Sequence, residues 1–227
     1  MRRVAAIILA VAVSITASAP AQAQTANPPT GFVIDIRAVT SSLPKGAGFL
    51  PPIPAGTFIP GRGFGLDVGA HLYVATLGPS RIGVGFDALA VRATATTPEP
   101  IAAGSGRPGA TVIPTVIPTV VRAPDITETL TTVVPQVSFN FGSRAGWSYL
   151  TTGVGAGGVV GKAVATGGAE ARQSSETLIV VMYGGGARWF LRDRLAVGFD
   201  LRFQRLGSSS VTDGVTLTAA SIGMSIR

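Results

Sequence analysis

Two stretches of this 227-residue chain alternate apolar and polar residues strictly. In the first, Phe64, Leu66, Val68, Ala70, Leu72 and Val74 share one face, and Gly65, Asp67, Gly69, His71, Tyr73 and Ala75 share the other. In the second, Leu195, Val197, Phe199, Leu201 and Phe203 oppose Ala196, Gly198, Asp200, Arg202 and Gln204. A period of two is that of a β-strand with one apolar face. Phe32, Ile34, Ile36 and Ala38 against Val33, Asp35, Arg37 and Val39 repeat it. So do Val133, Pro135, Val137, Phe139 and Phe141 against Thr132, Val134, Gln136, Ser138 and Asn140. Four weaker candidates complete the series: Arg81 to Thr96, Trp147 to Lys162, Ser175 to Phe190 and Val215 to Ile226. The last three are Gly-rich or apolar on both sides, and eight strands are expected in all.

The apolar faces need a destination. Mean hydropathy is +0.45, yet no apolar run after the N-terminus has the length of a membrane-spanning helix. A closed β-barrel is the other structure that satisfies every backbone group in lipid. The N-terminus reads as a secretory signal, with Arg2 and Arg3, an apolar stretch from Val4 to Ile15, and Ala21-Gln22-Ala23 as a small-x-small cleavage site. The expected division is therefore a signal peptide over 1–23 and a barrel domain over 24–227. There is no Cys, so an exported chain of this kind does not rely on disulfides, and a Cys-linked lipid anchor is not expected.

The connections form a rhythm of their own. Short links at 77–80, 142–145 and 191–194 alternate with long ones at 42–61, 97–126, 163–174 and 207–214. Short periplasmic turns and longer extracellular loops give this pattern in a transmembrane barrel. The long link at 97–126 repeats Thr-Val-Ile-Pro at 111–114 and 115–118, and Pro at that spacing excludes a regular helix or central strand. It reads as an extended surface loop or as an apolar contact patch for an extracellular partner or lipid. The link at 42–61, with Pro51, Pro52 and Pro54, allows the same two readings.

The inward faces collect a polar set: Asp35, Asp67, Asp87 and Asp200 with Arg37, Arg188, Arg202 and His71, joined by Gln136, Asn140 and Gln204. An eight-stranded barrel is just wide enough for side chains to fill it. Charges there must pair, because an unpaired buried charge is very costly. The set is expected to plug and brace the lumen; a narrow polar pore is the alternative. His71 is the only His, so a lipid-acting barrel enzyme would have to use it, and no hydroxyl stands at a telling position in the sequence beside it. One His without Cys is a poor metal ligand set. Gly153, Gly155 and Gly158 satisfy G-x-G-x-x-G without the strand-to-helix context that dinucleotide binding needs; they read as small residues inside a narrow barrel. No cofactor is expected. The net charge of +7, about +5 without Arg2 and Arg3, is carried by dispersed arginines, which suit lipid phosphates rather than nucleic acid. Trp147, Tyr149, Trp189 and Phe190 flank two of the short turns and are expected to form part of an interfacial aromatic girdle.

The stretch Gly184–Phe203, GGGARWFLRDRLAVGFDLRF, resembles a late hairpin of the bacterial outer-membrane β-barrel domain family, which includes OmpA- and OmpX-type barrels. The glycines, the Arg188-Trp189 pair, the charged turn Arg192-Asp193-Arg194 and the alternating strand carry the resemblance. Such barrels usually end in an aromatic residue, where this sequence has Ile226-Arg227. The resemblance implies an eight-stranded antiparallel up-and-down barrel in the outer membrane of a diderm bacterium, in contact with outer-membrane lipids. It implies no catalytic residues. Deleting 101–122 is expected to leave the heat-modifiable electrophoretic shift of a folded barrel intact; loss of that shift would show that the segment belongs to the wall.

Overall fold

The computed structural model describes residues 31–45, 48–97, 123–143, 145–165, 167–210 and 213–227, so the expected signal segment and the Thr-Val-Ile-Pro repeat lie outside the described residues. The described residues form strands only: β1 (Phe32–Ser42), β2 (Arg62–Leu77), β3 (Ser80–Ala95), β4 (Asp125–Ser143), β5 (Gly146–Val164), β6 (Glu170–Ser174), β7 (Leu178–Arg192), β8 (Leu195–Leu206) and β9 (Val215–Ile226). All pairings are antiparallel. The order β4-β3-β2-β1-β9-β8-β7-β5 closes on itself through β4–β5, giving an eight-stranded up-and-down barrel with short turns at one end and long links at the other. The ninth strand, β6, lies inside the expected 163–174 loop. It pairs only with the last turns of β5, from Val160↔Ser174 to Val164↔Glu170, as a hairpin standing beyond the ring.

The period-two faces sort as the pleat demands. Phe32, Phe64, Leu150 and Ile222 are exposed on the outer wall, while Val33, Asp35, Arg37 and Val39 of β1 are buried. A continuous outer band of large apolar residues exceeds what a soluble monomer leaves uncovered. On β4 the band runs from Phe141 to Val133, after which the outward positions become Thr131, Thr129 and Thr127. The loop-end third of β4 therefore rises above the apolar band. One position departs from the simple alternation. A bulge between Tyr73 and Ala75 shifts the β2–β3 register, so Ala75 pairs with Ile82 and lies exposed rather than on the inner face.

The inner faces form layers. At the turn end Val33, Trp147, Tyr149 and Ala196 pack with Phe190 and Tyr73. Above them lies a charged layer, and above that an apolar one built around Leu89, Leu130, Val180, Met182, Leu206 and Leu217. The 42–61 link completes the apolar layer. It is not an open surface loop: Leu43 and Phe49 are buried in that layer, and Leu50 is buried against Ile126 and Ala163. The Gln173 side-chain amide of β6 donates to the Gly48 carbonyl at 3.3 Å. The Leu43 amide donates to the Gly61 carbonyl at 3.2 Å. The apolar face of this Pro-rich segment is turned inward because the upper lumen offers it apolar surface, and the segment acts as a lid.

The lid has a defined seat. A Cβ on Gly161 of β5 would lie 2.5 Å from the Phe49 carbonyl oxygen and 2.8 Å from Leu50 Cδ2. Gly161→Leu should therefore displace the lid without opening the ring. Overpacking of this kind costs about 1–3 kcal/mol, so chymotryptic cleavage after Phe49 should rise by roughly tenfold to a hundredfold. The heat-modifiable band should remain. Unchanged cleavage would mean that the lid does not depend on this seat.

Candidate functional site in the lumen

All eleven polar residues assigned by parity to the lumen are buried inside the barrel: Asp35, Arg37, Asp67, His71, Asp87, Gln136, Asn140, Arg188, Asp200, Arg202 and Gln204. Seven of them form one ion-pair network at the depth of the apolar band. Arg37 of β1 lies within ion-pair distance of four carboxylates: Asp35 at 3.6 Å, Asp67 at 3.0 Å, Asp87 at 2.5 Å and Asp200 at 3.3 Å. Arg188 of β7 meets Asp200 at 2.7 Å and Asp35 at 3.4 Å. Arg202 of β8 contacts Asp87 closely and Asp67 at 3.7 Å. Pairs this dry persist only when further hydrogen bonds satisfy the remaining donors and lone pairs. Here Arg188 also donates to the Ser225 hydroxyl at 2.8 Å, the Tyr149 hydroxyl at 3.0 Å and the Phe199 carbonyl at 3.1 Å. Tyr149 in turn donates to Asp200, and Ser225 to Asp35.

Glycines make room for the guanidinium groups. One of the two cross-strand partners of each of these Arg residues is Gly: Arg37↔Gly223, Arg188↔Gly198 and Gly184↔Arg202. A Cβ on Gly223 would stand 2.7 Å from Arg37 Cγ, and one on Gly198 would stand 2.7 Å from Arg188 Cδ. Gly184 of β7, Gly198 of β8 and Gly223 of β9 are in part the imprint of a lumen crowded by long side chains.

His71 belongs to a neutral annex of this network. Gln136 Nε2 lies 3.2 Å from His71 Nε2, and Ser138 Oγ lies 3.4 Å from His71 Nδ1. Asp35 Oδ2 is 3.8 Å from the ring, and Tyr149 packs edge-on at 6.2 Å. The fold thus places a hydroxyl beside His71 that the sequence did not reveal, since Ser138 is 67 residues away. The adjoining void, lined by Val33, Tyr73 and Trp147 among others, measures about 10 Å³. That is room for about one water.

The expected girdle is largely elsewhere. Trp147 and Tyr149 face the lumen, because the register of β5 with β4 and β7 turns its odd-numbered residues inward. Trp147 packs at a tilt against Phe190, ring centres 5.1 Å apart, and that pair floors the barrel; Phe190 is also covered by the Arg227 guanidinium at 4.1 Å from its ring centre. Of the four, Trp189 alone lies exposed on the outer wall, against Phe199 at 5.8 Å. Besides Ser138, the contributors not anticipated from sequence are Tyr149, Ser221 and Ser225, all within hydrogen-bond reach of buried carboxylates.

No family model matches the chain, and no curated protein matches it. Among solved structures, Neisserial surface protein A (NspA) superposes with a TM-score of 0.52 at 13% identity, over 87% of this chain and 97% of that one. Ail, the attachment invasion locus protein of Yersinia pestis, gives 0.49 at 14% identity over 87% and 99%. The outer membrane protein OprG of Pseudomonas aeruginosa gives 0.45 at 10% identity over 89% and 97%. At such identities NspA carries the comparison, and what it carries is architecture: the chain has the fold of the small eight-stranded outer-membrane β-barrels.

Proposed function

We propose that the protein resides in the bacterial outer membrane, exported through its N-terminal signal, as a closed barrel whose role is exercised at the cell surface. The observation that carries this reading is the double closure of the lumen. The Arg37–Arg188–Arg202 network fills its lower half, with each of these side chains at most 2% exposed. The apolar layer and its lid fill the upper half. With the lumen filled at both levels among the described residues, what the barrel offers to other molecules is its apolar wall and its loop end. The wall meets outer-membrane lipid. The loop end carries the lid and the β5–β6 hairpin; β3 ends and β4 begins there, and the 97–126 link between them is the candidate site for an extracellular partner.

The two competing readings meet physical obstacles. A pore for ions or small solutes would have to break several ion pairs in a dry setting, each break leaving a charge unpaired. A lipid-acting enzyme would use Ser138 and His71, yet both are buried and the void beside them holds about one water. Nucleophilic catalysis needs a face open to substrate.

Refolded protein in planar bilayers is expected to give no stepwise conductance. Resolved steps that vanish in Arg202→Glu would replace this reading with the pore. Asp200→Asn should lower the unfolding free energy in urea by about 3–5 kcal/mol, the usual consequence of removing one partner from a buried ion pair. The heat-modifiable band gives the midpoint. A shift under about 1 kcal/mol would mean that the network is not a brace but a set of spare charges.

A further inference from the structure

One ionisable side chain of the barrel interior stands apart from the network. Glu128 projects inward from β4 between Ile126 and Leu130, on the part of the strand that rises above the apolar band. It is 0% exposed, and neither carboxylate oxygen has a hydrogen-bond partner. Its cross-strand partners are Ala93 of β3 and Gly161 of β5. Gly161 is the seat of the lid, so Phe49 and Leu50 lie against β5 directly beside Glu128.

Nothing titratable faces it from the elements packed around it. From β3 the inward neighbours are Val91, Ala93 and Ala95; from β5 they are Val159, Gly161 and Ala163. At the loop end, Arg92 of β3, Asp125 of β4 and Lys162 of β5 alternate to the outer face, where Lys162 pairs with Glu170 of β6 at 2.8 Å, while Asp87, lower on β3, is held by Arg37 and Arg202. The lid's own Lys45 is exposed beside Gly61. A carboxylate in such surroundings has neither countercharge nor donor, and the ionised form is very costly there. Only movement of the lid would bring water to it.

We propose that Glu128 is a proton-operated latch: the lid seats over the lumen while Glu128 holds a proton and is released when the proton leaves. This goes beyond the surface role proposed above and does not depend on it. The geometry agrees with the acidity, since burial alone pushes the Glu128 carboxyl from its ordinary 4.5 up to about 8. With the lid open the carboxyl is hydrated and ionises near its ordinary value. Between pH 4.5 and 8 the closed state therefore binds the extra proton. The lid is most firmly seated at the acid end of that window, and its hold weakens as pH rises, by about tenfold per pH unit.

The chain has no cysteine, so a single reporter can be placed. Leu50→Cys puts a thiol under the lid, and Phe58→Cys, at a position 60% exposed, provides a reference for thiol ionisation. The ratio of their labelling rates with a membrane-impermeant maleimide should climb by about tenfold per unit from pH 5 to 8. In Leu50→Cys/Glu128→Gln the ratio should be flat, with the lid seated throughout. Heat-modifiability over the same range separates lid release from unfolding. A flat ratio with Glu128 in place overturns the proposal, and so does a rise of equal slope in the Glu128→Gln background. Should that variant fail to give the heat-modifiable band, the pH slope of Leu50→Cys decides alone.

Discussion

Arg37 is the side chain on which the lower half of the molecule turns. It faces four carboxylates drawn from β1, β2, β3 and β8, and its partner Asp200 is 163 residues away. β1, β2 and β3 together set Asp35, Asp67 and Asp87 against Arg37 alone, and the further cations come from Arg188 of β7 and Arg202 of β8. Carboxylates buried against part of the set would carry unmet charge at several kcal/mol per ion. The network is therefore compatible with a closed ring and with little else. Charge pairing and closure through β1–β9 and β4–β5 depend on each other. The same demand reaches the neighbouring strands, where Gly223, Gly198 and Gly184 stand opposite the three arginines: a Cβ there would meet a partner-strand carbonyl oxygen at 2.2, 2.0 and 2.3 Å and, at Gly223 and Gly198, the arginine side chain at 2.7 Å.

Above this layer the chemistry of the lumen changes while its geometry does not. Gln204 and Thr132 form the boundary, with the Thr132 hydroxyl 3.4 Å from the Gln204 side-chain carbonyl. Beyond them the interior is mostly Leu, Val and Met, with Phe49 of the lid and the lone carboxyl of Glu128 among them. A barrel of eight strands is too narrow to leave either layer empty. The upper layer is still open to the outside unless something covers it, because β4 and β5 run to 19 residues each, well past what is needed to cross a membrane. The lid answers that exposure with Leu43, Phe49 and Leu50, so the Pro-rich link and the overlong strands belong to one structural solution.

Much of this was legible in the sequence. Strict alternation placed β1, β2, β4 and β8, and parity alone put Asp35, Arg37, Asp67, His71, Gln136, Asp200 and Arg202 inside. The same rule, carried one step further, contained the answer for the aromatics. Gly153 and Gly155 read as lumen residues, and a period of two from them puts Tyr149 and Trp147 inside as well. Proximity to a turn suggested a girdle, and the register overrode it. Other features had no local signature. The Ala75 inversion comes from a bulge that only the β2–β3 register reveals. Ser138 and Ser225 are ordinary serines until closure brings them to His71 and Asp35. The 42–61 link showed apolar residues and prolines, but whether they faced outward or into the barrel depended on an apolar upper lumen assembled from β3, β4, β5, β7, β8 and β9.

The two closures differ in what can operate them. The charged layer lies at the depth of the apolar wall, and each of its three guanidinium groups is held by two or more carboxylates. Displacing any one of them would break at least two ion pairs at once. The loop end is different. Its outer face is threonine and charge, water surrounds it, and a single unpartnered carboxyl stands between the lid and the apolar layer beneath. A group that is buried alone transmits its protonation to whatever buries it, since the only way to solvate the ionised form is to move the cover. In a barrel braced this firmly below, that cover is the element with the freedom to respond.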